Sequence, residues 1–489
     1  MRDYVKKLSF QVLVYGLGDA FVKGVGFLLI LLYTRCLSVD QFGMVSLLQT
    51  LQFVLTLVLS LGLNASLIKV YQDAVKDWEK DEAVSTALFC VVVWGIPATA
   101  GLIWAAPALS RFMFGSMEGA GYLRWVFAAL YLDGFRGLAL AVLRAREKPV
   151  SYVLVNGIQF TLLVVTNVLW VGVWKRGIQG IVESQFVTSA VLALGVLGLL
   201  VRWKRFRISW SRLRVMVSFG MPLVPSGVAA WGLAVMSQYF IRHFSGMHEV
   251  GLYGLGWRFG TLISMVLVIP FRTAWFPFMF SIRDEARADR MYSLTLTYFL
   301  FAAVFLALGI SILARELVLV AATREYLGGY PIIPLLAAAY VAYGVFNTAD
   351  VGIMLTGKTA VSALLCIGAA MVQAGLQLVW VPGHGAMGAA WATLLSYVLL
   401  AAGVVIWSNR FHPVRYEWLR ILKIVGTAAA LFFLSTKIAI PSLGPAVVIK
   451  MLLWLVFPVA LWGMRFFYPQ EIRTLKSAFH TIVHRSRRS

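Results

Sequence analysis

KPVSYVLVNGIQFTLLVVTNVLWV (148–171) and KTAVSALLCIGAAMVQAGLQLVWV (358–381) read as two copies of one segment. Each starts on a lysine, runs through an apolar stretch and then reaches a Gly-x-x-Gly turn, GIQG at Gly177 to Gly180 and GAMG at Gly385 to Gly388. About 20 apolar residues make a helix long enough to cross the ~30 Å hydrocarbon layer. Working outward, apolar runs bounded by charge, Gly or Pro predict spans at 10–33, 43–67, 83–105, 122–143, 150–174, 178–200, 217–241, 250–272, 291–313, 331–354, 359–381, 383–407, 421–440 and 445–468. The two copies start six spans apart, and an even offset gives them the same orientation. The expectation is an all-α integral membrane protein of about fourteen transmembrane helices. Two parallel six-helix bundles, 1–209 and 210–409, surround a central cavity, and 410–489 adds two helices and a basic tail.

Composition agrees with a bilayer as the main solvent. The 489 residues are 60% hydrophobic and 13% charged, where a soluble domain carries about 25% charged residues. Mean hydropathy is +0.82. The net charge of +22 would suggest nucleic acid in a soluble protein. Here the basic runs are short and lie between apolar spans, so the positive-inside bias accounts for them and no nucleic-acid partner is expected. Arg2, Lys6 and Lys7, then Arg144, Arg146 and Lys148, then the cluster from Arg202 to Arg214, and finally the tail from Arg473 to Arg488 fall on one side. The other side holds isolated cations such as Arg35, Arg111, Lys175 and Arg315. Both termini should therefore face the cytoplasm. Cys36, Cys90 and Cys366 are scattered without metal-ligand spacing, so neither a zinc site nor a disulfide framework is expected. The basic amino end lacks a small-residue cleavage site and reads as a retained first helix.

Ionisable residues inside the spans are the candidates for function, because a central Arg, Lys or Asp costs about 2.5–3.5 kcal/mol on insertion scales. They are Asp19, Lys23, Arg124, Asp133, Arg136, Glu183, Arg258, Asp350, Lys450 and Arg465. Asp19 and Lys23, four apart, share a face of the first helix and either neutralise each other or work on a cargo. Asp133 and Arg136, three apart, pose the same choice, with the structural pair favoured. Arg258 has no acidic neighbour three or four residues away, so it needs a partner from another helix or from a substrate. Arg124 and Glu183 fall near the outer surface, Asp350 and Arg465 near the inner one, where snorkelling or capping is the common explanation. Lys450, early in the last span, is expected to contact lipid headgroups. Trp104, Trp170, Trp174 and Trp380 read as an interfacial belt, whereas Trp231, Tyr239, Tyr253 and Trp257 are better placed to line a cavity and stack on sugar rings.

Four stretches carry a family resemblance. LLYTRCLSVDQFG (31–43) holds Thr34, Arg35, Leu37, Phe42 and Gly43. LRAREKPVSYVLVNGIQ (143–159) is the second. The third, MPLVPSGVAAWGLAVMSQYFIRHFSGMHEVGLYGLGWRFG (221–260), holds Pro222, Pro225, Tyr239, Gly251, Tyr253 and Arg258. GHGAMGAAWATLLSYVL (383–399) is the fourth. Together, in this order, they resemble the polysaccharide transporters and O-antigen-type flippases of the multidrug/oligosaccharidyl-lipid/polysaccharide exporter superfamily, to which lipid II flippases and MATE drug exporters also belong. One position departs: many relatives carry an Asp-Arg pair before the tyrosine of the seventh span, and this chain has Ser237 and Gln238.

The resemblance implies a flippase that moves polyprenyl-diphosphate-linked oligosaccharide units to the outer leaflet of a bacterial inner membrane, by alternating access and without a cofactor, for O-antigen, capsule or exopolysaccharide synthesis. A polysaccharide polymerase and chain-length proteins are the implied partners, besides membrane lipids. Lys23, Arg258, Arg136 and Arg124 would form a cationic cavity for the diphosphate, and Asp19, Asp133 and Asp350 are the candidates for ion coupling or charge pairing. The alternatives are a cation-coupled exporter of MATE type, which would want a cavity dominated by acidic residues, and a lipid II flippase. An enzyme is not expected: paired carboxylates outside the membrane and a phosphate-cradling glycine loop are both missing from the sequence.

Overall fold

The computed structural model describes residues 29–201, 207–221, 223–285, 287–438, 440 and 442–468, with side chains except at 199–201, 223, 225–231 and 233–235. It is 87% helix, and no strand occurs among the described residues. In chain order the helices are α1 (29–36), α2 (Val39–Ser60), α3 (Leu63–Asp73), α4 (Asp77–Phe114), α5 (Ala120–Ala145), α6 (Pro149–Asn167), α7 (Gly177–Val201), α8 (Trp210–Gly220) and α9 (Leu223–Ser245). They continue as α10 (Met247–Ile263), α11 (Ile269–Ser281), α12 (Ala288–Ile312), α13 (Ala314–Ala321), α14 (Ile332–Thr348), α15 (Val351–Leu355), α16 (Thr359–Phe411), α17 (Trp418–Thr436) and α18 (Leu443–Gly463). Among the described residues, 11 continuous helices are long and apolar enough to cross a membrane. The number falls below fourteen partly because α16 runs through two of the expected spans. The expected span 10–33 lies almost wholly outside the described residues.

At 53 residues α16 would be about 80 Å long, more than twice the hydrocarbon thickness. It breaks at Gly385, whose φ of 53° and ψ of −134° are open to glycine alone. The first glycine of the other Gly-x-x-Gly turn, Gly177, also has positive φ, 57°. The second glycines match too. A Cβ on Gly180 would lie 3.1 Å from the Trp170 carbonyl oxygen, and one on Gly388 would lie 2.5 Å from that of Trp380. Trp170 and Trp380 hold the same place in the two sequence copies, so the repeat reappears as a repeated close approach of backbone to backbone.

The chain packs as two compact units. The first holds the described residues up to Arg258, with Ala321–Gly329 and Cys366–Ser396; the second holds the described residues of Phe259–Val320 and Tyr330–Leu365 and those from Tyr397 onward. These units follow packing and interleave along the chain, whereas the expected bundles, 1–209 and 210–409, rest on internal similarity of sequence.

In the first unit a capping box starts α2: Ser38 Oγ accepts from the Gln41 N–H and Gln41 Oε1 from the Ser38 N–H. The chain then kinks at Leu61 and Gly62, both left-handed. A Cβ on Gly62 would sit 2.4 Å from the Gly220 carbonyl, and one on Gly220 would sit 2.4 Å from the Leu61 carbonyl. This locked contact of two glycines sets α8 against the α2–α3 corner. Leu63 and Leu67 of α3, Val84 and Ala87 of α4, Phe135 and Leu138 of α5 and Met216 of α8 close the core beneath it. Pro97 and Pro107 lie inside α4.

The second unit is organised on α12. A Cβ on Gly344 of α14 would meet the Phe299 ring at 2.5 Å, so the two helices meet with no spacer. On α18, Trp454 stacks on Phe305 at 4.4 Å and its indole N–H donates to the Phe305 carbonyl at 2.8 Å. Lys450, expected at lipid headgroups, is buried instead, with Nζ donating to both carboxylate oxygens of Glu316 at 2.8 and 2.9 Å. An ammonium two turns into a membrane helix is stabilised by a carboxylate on a packed neighbour, α13, more readily than by reaching for water. Large apolar side chains such as Phe433, Leu419 and Val459 are exposed around this helical body, the surface expected where hydrocarbon is the solvent.

Candidate functional site

Three glycines bring α2 and α10 together. The Cβ position of Gly251 lies 2.1 Å from the Val39 carbonyl oxygen, that of Gly43 lies 2.5 Å from the Met247 carbonyl oxygen, and that of Gly254 lies 2.6 Å from Ser46 Oγ. Small residues at such spacing let helix backbones touch in a membrane. The approach carries Arg258 over the face of α2: its Nη2 donates to Gln49 Oε1 at 2.5 Å, and the guanidinium lies 5.0 Å from the Phe42 ring centroid. The TRCLSVDQFG stretch frames the same place. Thr34 Oγ1 binds the carbonyls of Ile30 and Ala321, and the Tyr326 hydroxyl donates to the carbonyls of Leu37 and Ser38, each at 3.1 Å. Burial, with Glu325 next, raises the pKa of Tyr326 and keeps it a donor.

A cavity of about 140 Å³ is lined by Arg258 itself together with Ser46, Gln49, Thr50, Phe53, Gln238 and Trp257. These lining residues bring one cation, several amide and hydroxyl groups and no carboxylate. Ser46 Oγ and Trp257 Nε1 have no hydrogen-bond partner among the described residues. Such a set can hold an anion that also offers hydroxyl groups: the guanidinium supplies charge-assisted bonds, and Trp257 and Phe53 supply flat apolar walls.

Behind the cavity, Thr50 Oγ1 donates to Gln238 Oε1 at 2.9 Å. Next to Gln238, Ser237 Oγ accepts from Gln377 Nε2 at 2.6 Å and from Gln373 Nε2 at 3.2 Å, while Tyr253 OH and Thr393 Oγ1 lie 3.3 Å apart. The position where relatives carry Asp-Arg is thus an uncharged, fully packed polar network. It fixes Tyr253, which was expected to face the cavity: its ring is completely buried and its hydroxyl is tied to Thr393.

The remaining candidates scatter. Asp133 and Arg136 form a bidentate pair at 2.6 and 2.8 Å and line a separate cavity of about 110 Å³ with Asn64, Thr99 and Tyr131. Arg124 is exposed near the start of α5 and lines neither cavity. Asp350 is buried at the start of α15 in the second unit. Tyr239 lines a third cavity, near Arg242. Asp19 and Lys23 lie outside the described residues, as does the side chain of Trp231. Gln49, Gln373 and Gln377 are not among the residues that charge or aromaticity marks in the sequence. Amides within apolar spans would have been the signal, since these too are costly in hydrocarbon.

Residues 32–331, more than half the chain, match the family model described as polysaccharide biosynthesis protein. The chain belongs to this polysaccharide biosynthesis family. A curated family relative is the succinoglycan biosynthesis transport protein ExoT of Rhizobium meliloti (strain 1021), 24% identical over 322 residues. That alignment takes in 64% of this chain and 62% of ExoT, so the chain spans under two thirds of its curated relative. The fold is similar to that of the lipid II flippase MurJ in an inward closed conformation, with a TM-score of 0.76 at 12% identity over 93% of this chain and all of MurJ. It is also similar to an inward-facing multidrug resistance MATE family transporter of the MOP superfamily, with a TM-score of 0.66 at 16% identity over 83% of this chain and 97% of that one. The family member described here is a multi-pass membrane protein of the MurJ and MATE fold, and these relatives are transporters or flippases by name rather than enzymes.

Proposed function

We propose that the chain is a flippase that moves polyprenyl-diphosphate-linked oligosaccharide units from the cytoplasmic to the outer leaflet of a bacterial inner membrane, by alternating access, for O-antigen, capsule or exopolysaccharide synthesis. Both termini are cytoplasmic in this reading, and a polysaccharide polymerase and chain-length proteins act on the delivered units. The observation that carries it is Arg258, held by Gln49 and Phe42 at the edge of a cavity whose lining brings no carboxylate.

The polyprenyl tail is at home in lipid, and only the diphosphate and its sugars need shelter. Arg258 and Lys23 are the phosphate ligands in this proposal, and Trp257 is the sugar-facing ring. Arg136 joins them only on release from Asp133. A membrane potential negative inside favours outward movement of an anion by about 2.3 kcal/mol per charge per 100 mV, and any protein cation that moves with the cargo offsets this. A cation exporter built on the same fold would need acidic groups where Arg258 stands.

Depletion of the protein, followed by leaflet-resolved measurement of lipid-linked glycans, tests the reading. Accumulation of inward-facing diphosphate-linked oligosaccharide is the expected result. Unchanged glycan pools with altered sensitivity to cationic compounds would overturn it.

A further inference from the structure

The isolated Arg111 of the sequence is not isolated in the fold. It ends α4 beside Arg242 and His243, which end α9, and the three line a cavity of about 520 Å³ with Phe112, Phe244 and Leu378. Basic residues in a last helical turn often serve only the helix dipole, and Arg242 does part of this, donating from Nη2 to the Phe114 carbonyl at 2.6 Å. That contact leaves Arg242 Nε buried with no partner among the described residues. The hydrogen bond of Arg111 goes to the Met117 sulfur at 3.4 Å, a weak acceptor. No carboxylate appears among the lining residues. The apolar wall faces outward: Phe112 is 82% exposed and Leu378 is 55% exposed, as suits side chains against acyl chains. Gly115, left-handed at φ 70°, leaves room for the Arg242 guanidinium, since a Cβ there would strike its Nη2 at 2.8 Å.

We propose that this pocket binds the phosphate of a membrane lipid in the leaflet where α4 and α9 end. Two guanidinium groups and an imidazole supply bonds to phosphate oxygens, and the phenylalanines and Leu378 hold the first carbons of the chains. The volume is in the range of sites that enclose one small ligand. Assignment to the outer leaflet rests on the orientation proposed above; the binding chemistry does not. The phosphate belongs either to the cargo lipid on its way out or to a bulk acidic phospholipid.

Native mass spectrometry of the full chain in detergent, titrated with undecaprenyl diphosphate, phosphatidylglycerol and uncharged diacylglycerol, separates these sources. In the Arg111→Gln/His243→Gln variant the bound fraction of phosphate-bearing lipid should fall about tenfold, while diacylglycerol is unaffected. Loss for undecaprenyl diphosphate alone assigns the pocket to the cargo; equal loss for both assigns it to acidic lipid in general. Unchanged binding of both by a variant with the wild-type Tm overturns the proposal. If the double variant fails to fold, Arg111→Glu at its exposed position gives the same readout. A lipid-binding defect that persists when depletion causes no glycan accumulation would leave the pocket standing and the flippase reading refuted.

Discussion

Glu249, in the first turn of α10, accepts a hydrogen bond at 2.9 Å from the backbone N–H of Ala386, the first residue after the break in α16. The break frees helix-start N–H groups, and the carboxylate satisfies one and faces the positive end of the helix dipole. Glu249→Ala should lower stability by about 1–2 kcal/mol, read as Tm in detergent. Gly385→Ala should lower it further, because φ is positive and its Cβ would lie 2.7 Å from Glu249 Oε2. Since that contact is with a flexible carboxylate, the double variant should fall short of the sum. Strict additivity would show that the two positions do not communicate.

Arg258 holds its place through geometry as well as charge. Arg258→Ala should reduce surface polysaccharide at least tenfold, a rise of ~1.4 kcal/mol or more in the transport barrier, with protein abundance intact. Arg258→Lys keeps the charge but not the planar contact with Phe42 and Gln49, so it should recover activity only in part. Normal polymer in Arg258→Ala combined with Lys23→Ala would end the phosphate role of both.

Glu316 and Lys450 are both buried, so removing one strands the other. Lys450→Met or Glu316→Leu alone should cost about 3–5 kcal/mol, and the double change should restore most of it. Thermal unfolding of the three variants decides the matter: a neutral single variant would mean that water reaches the pair.

Asp133 and Arg136 can be tested by the same logic with a different readout. If the pair is structural, Asp133→Asn and Arg136→Gln each reduce stability by about 1–3 kcal/mol and the double variant transports normally. A stable double variant that has lost transport would give the pair a working role.

The sequence shows the limits of legibility at particular residues. Periodicity cannot separate a helix that ends from one that bends, and α16 needs a left-handed Gly385 to turn one 53-residue helix into two arms. Lys450 stands out in the sequence as an ionisable residue within a span, but its partner Glu316 does not, because it sits in a short helix next to Arg315 and reads as a loop. Gln373 and Gln377 were lost among apolar neighbours, although an amide in hydrocarbon also requires a partner. Arg111 is far along the chain from the adjacent Arg242 and His243, and nothing in that spacing indicates that they share a pocket.

What the sequence by itself determined was the solvent and the repeat. Hydrophobic length is a local property, legible in any window of about 20 residues, and two such windows sharing a lysine, a tryptophan and a glycine turn reveal a common design. Tertiary structure alone decided which charges are matched. Lys450 found Glu316, and Arg258 came to lie over Gln49 because glycines let α2 and α10 touch. Pairing of charges in a low-dielectric medium depends on separations of a few ångströms between helices distant in sequence, and those separations are set by packing.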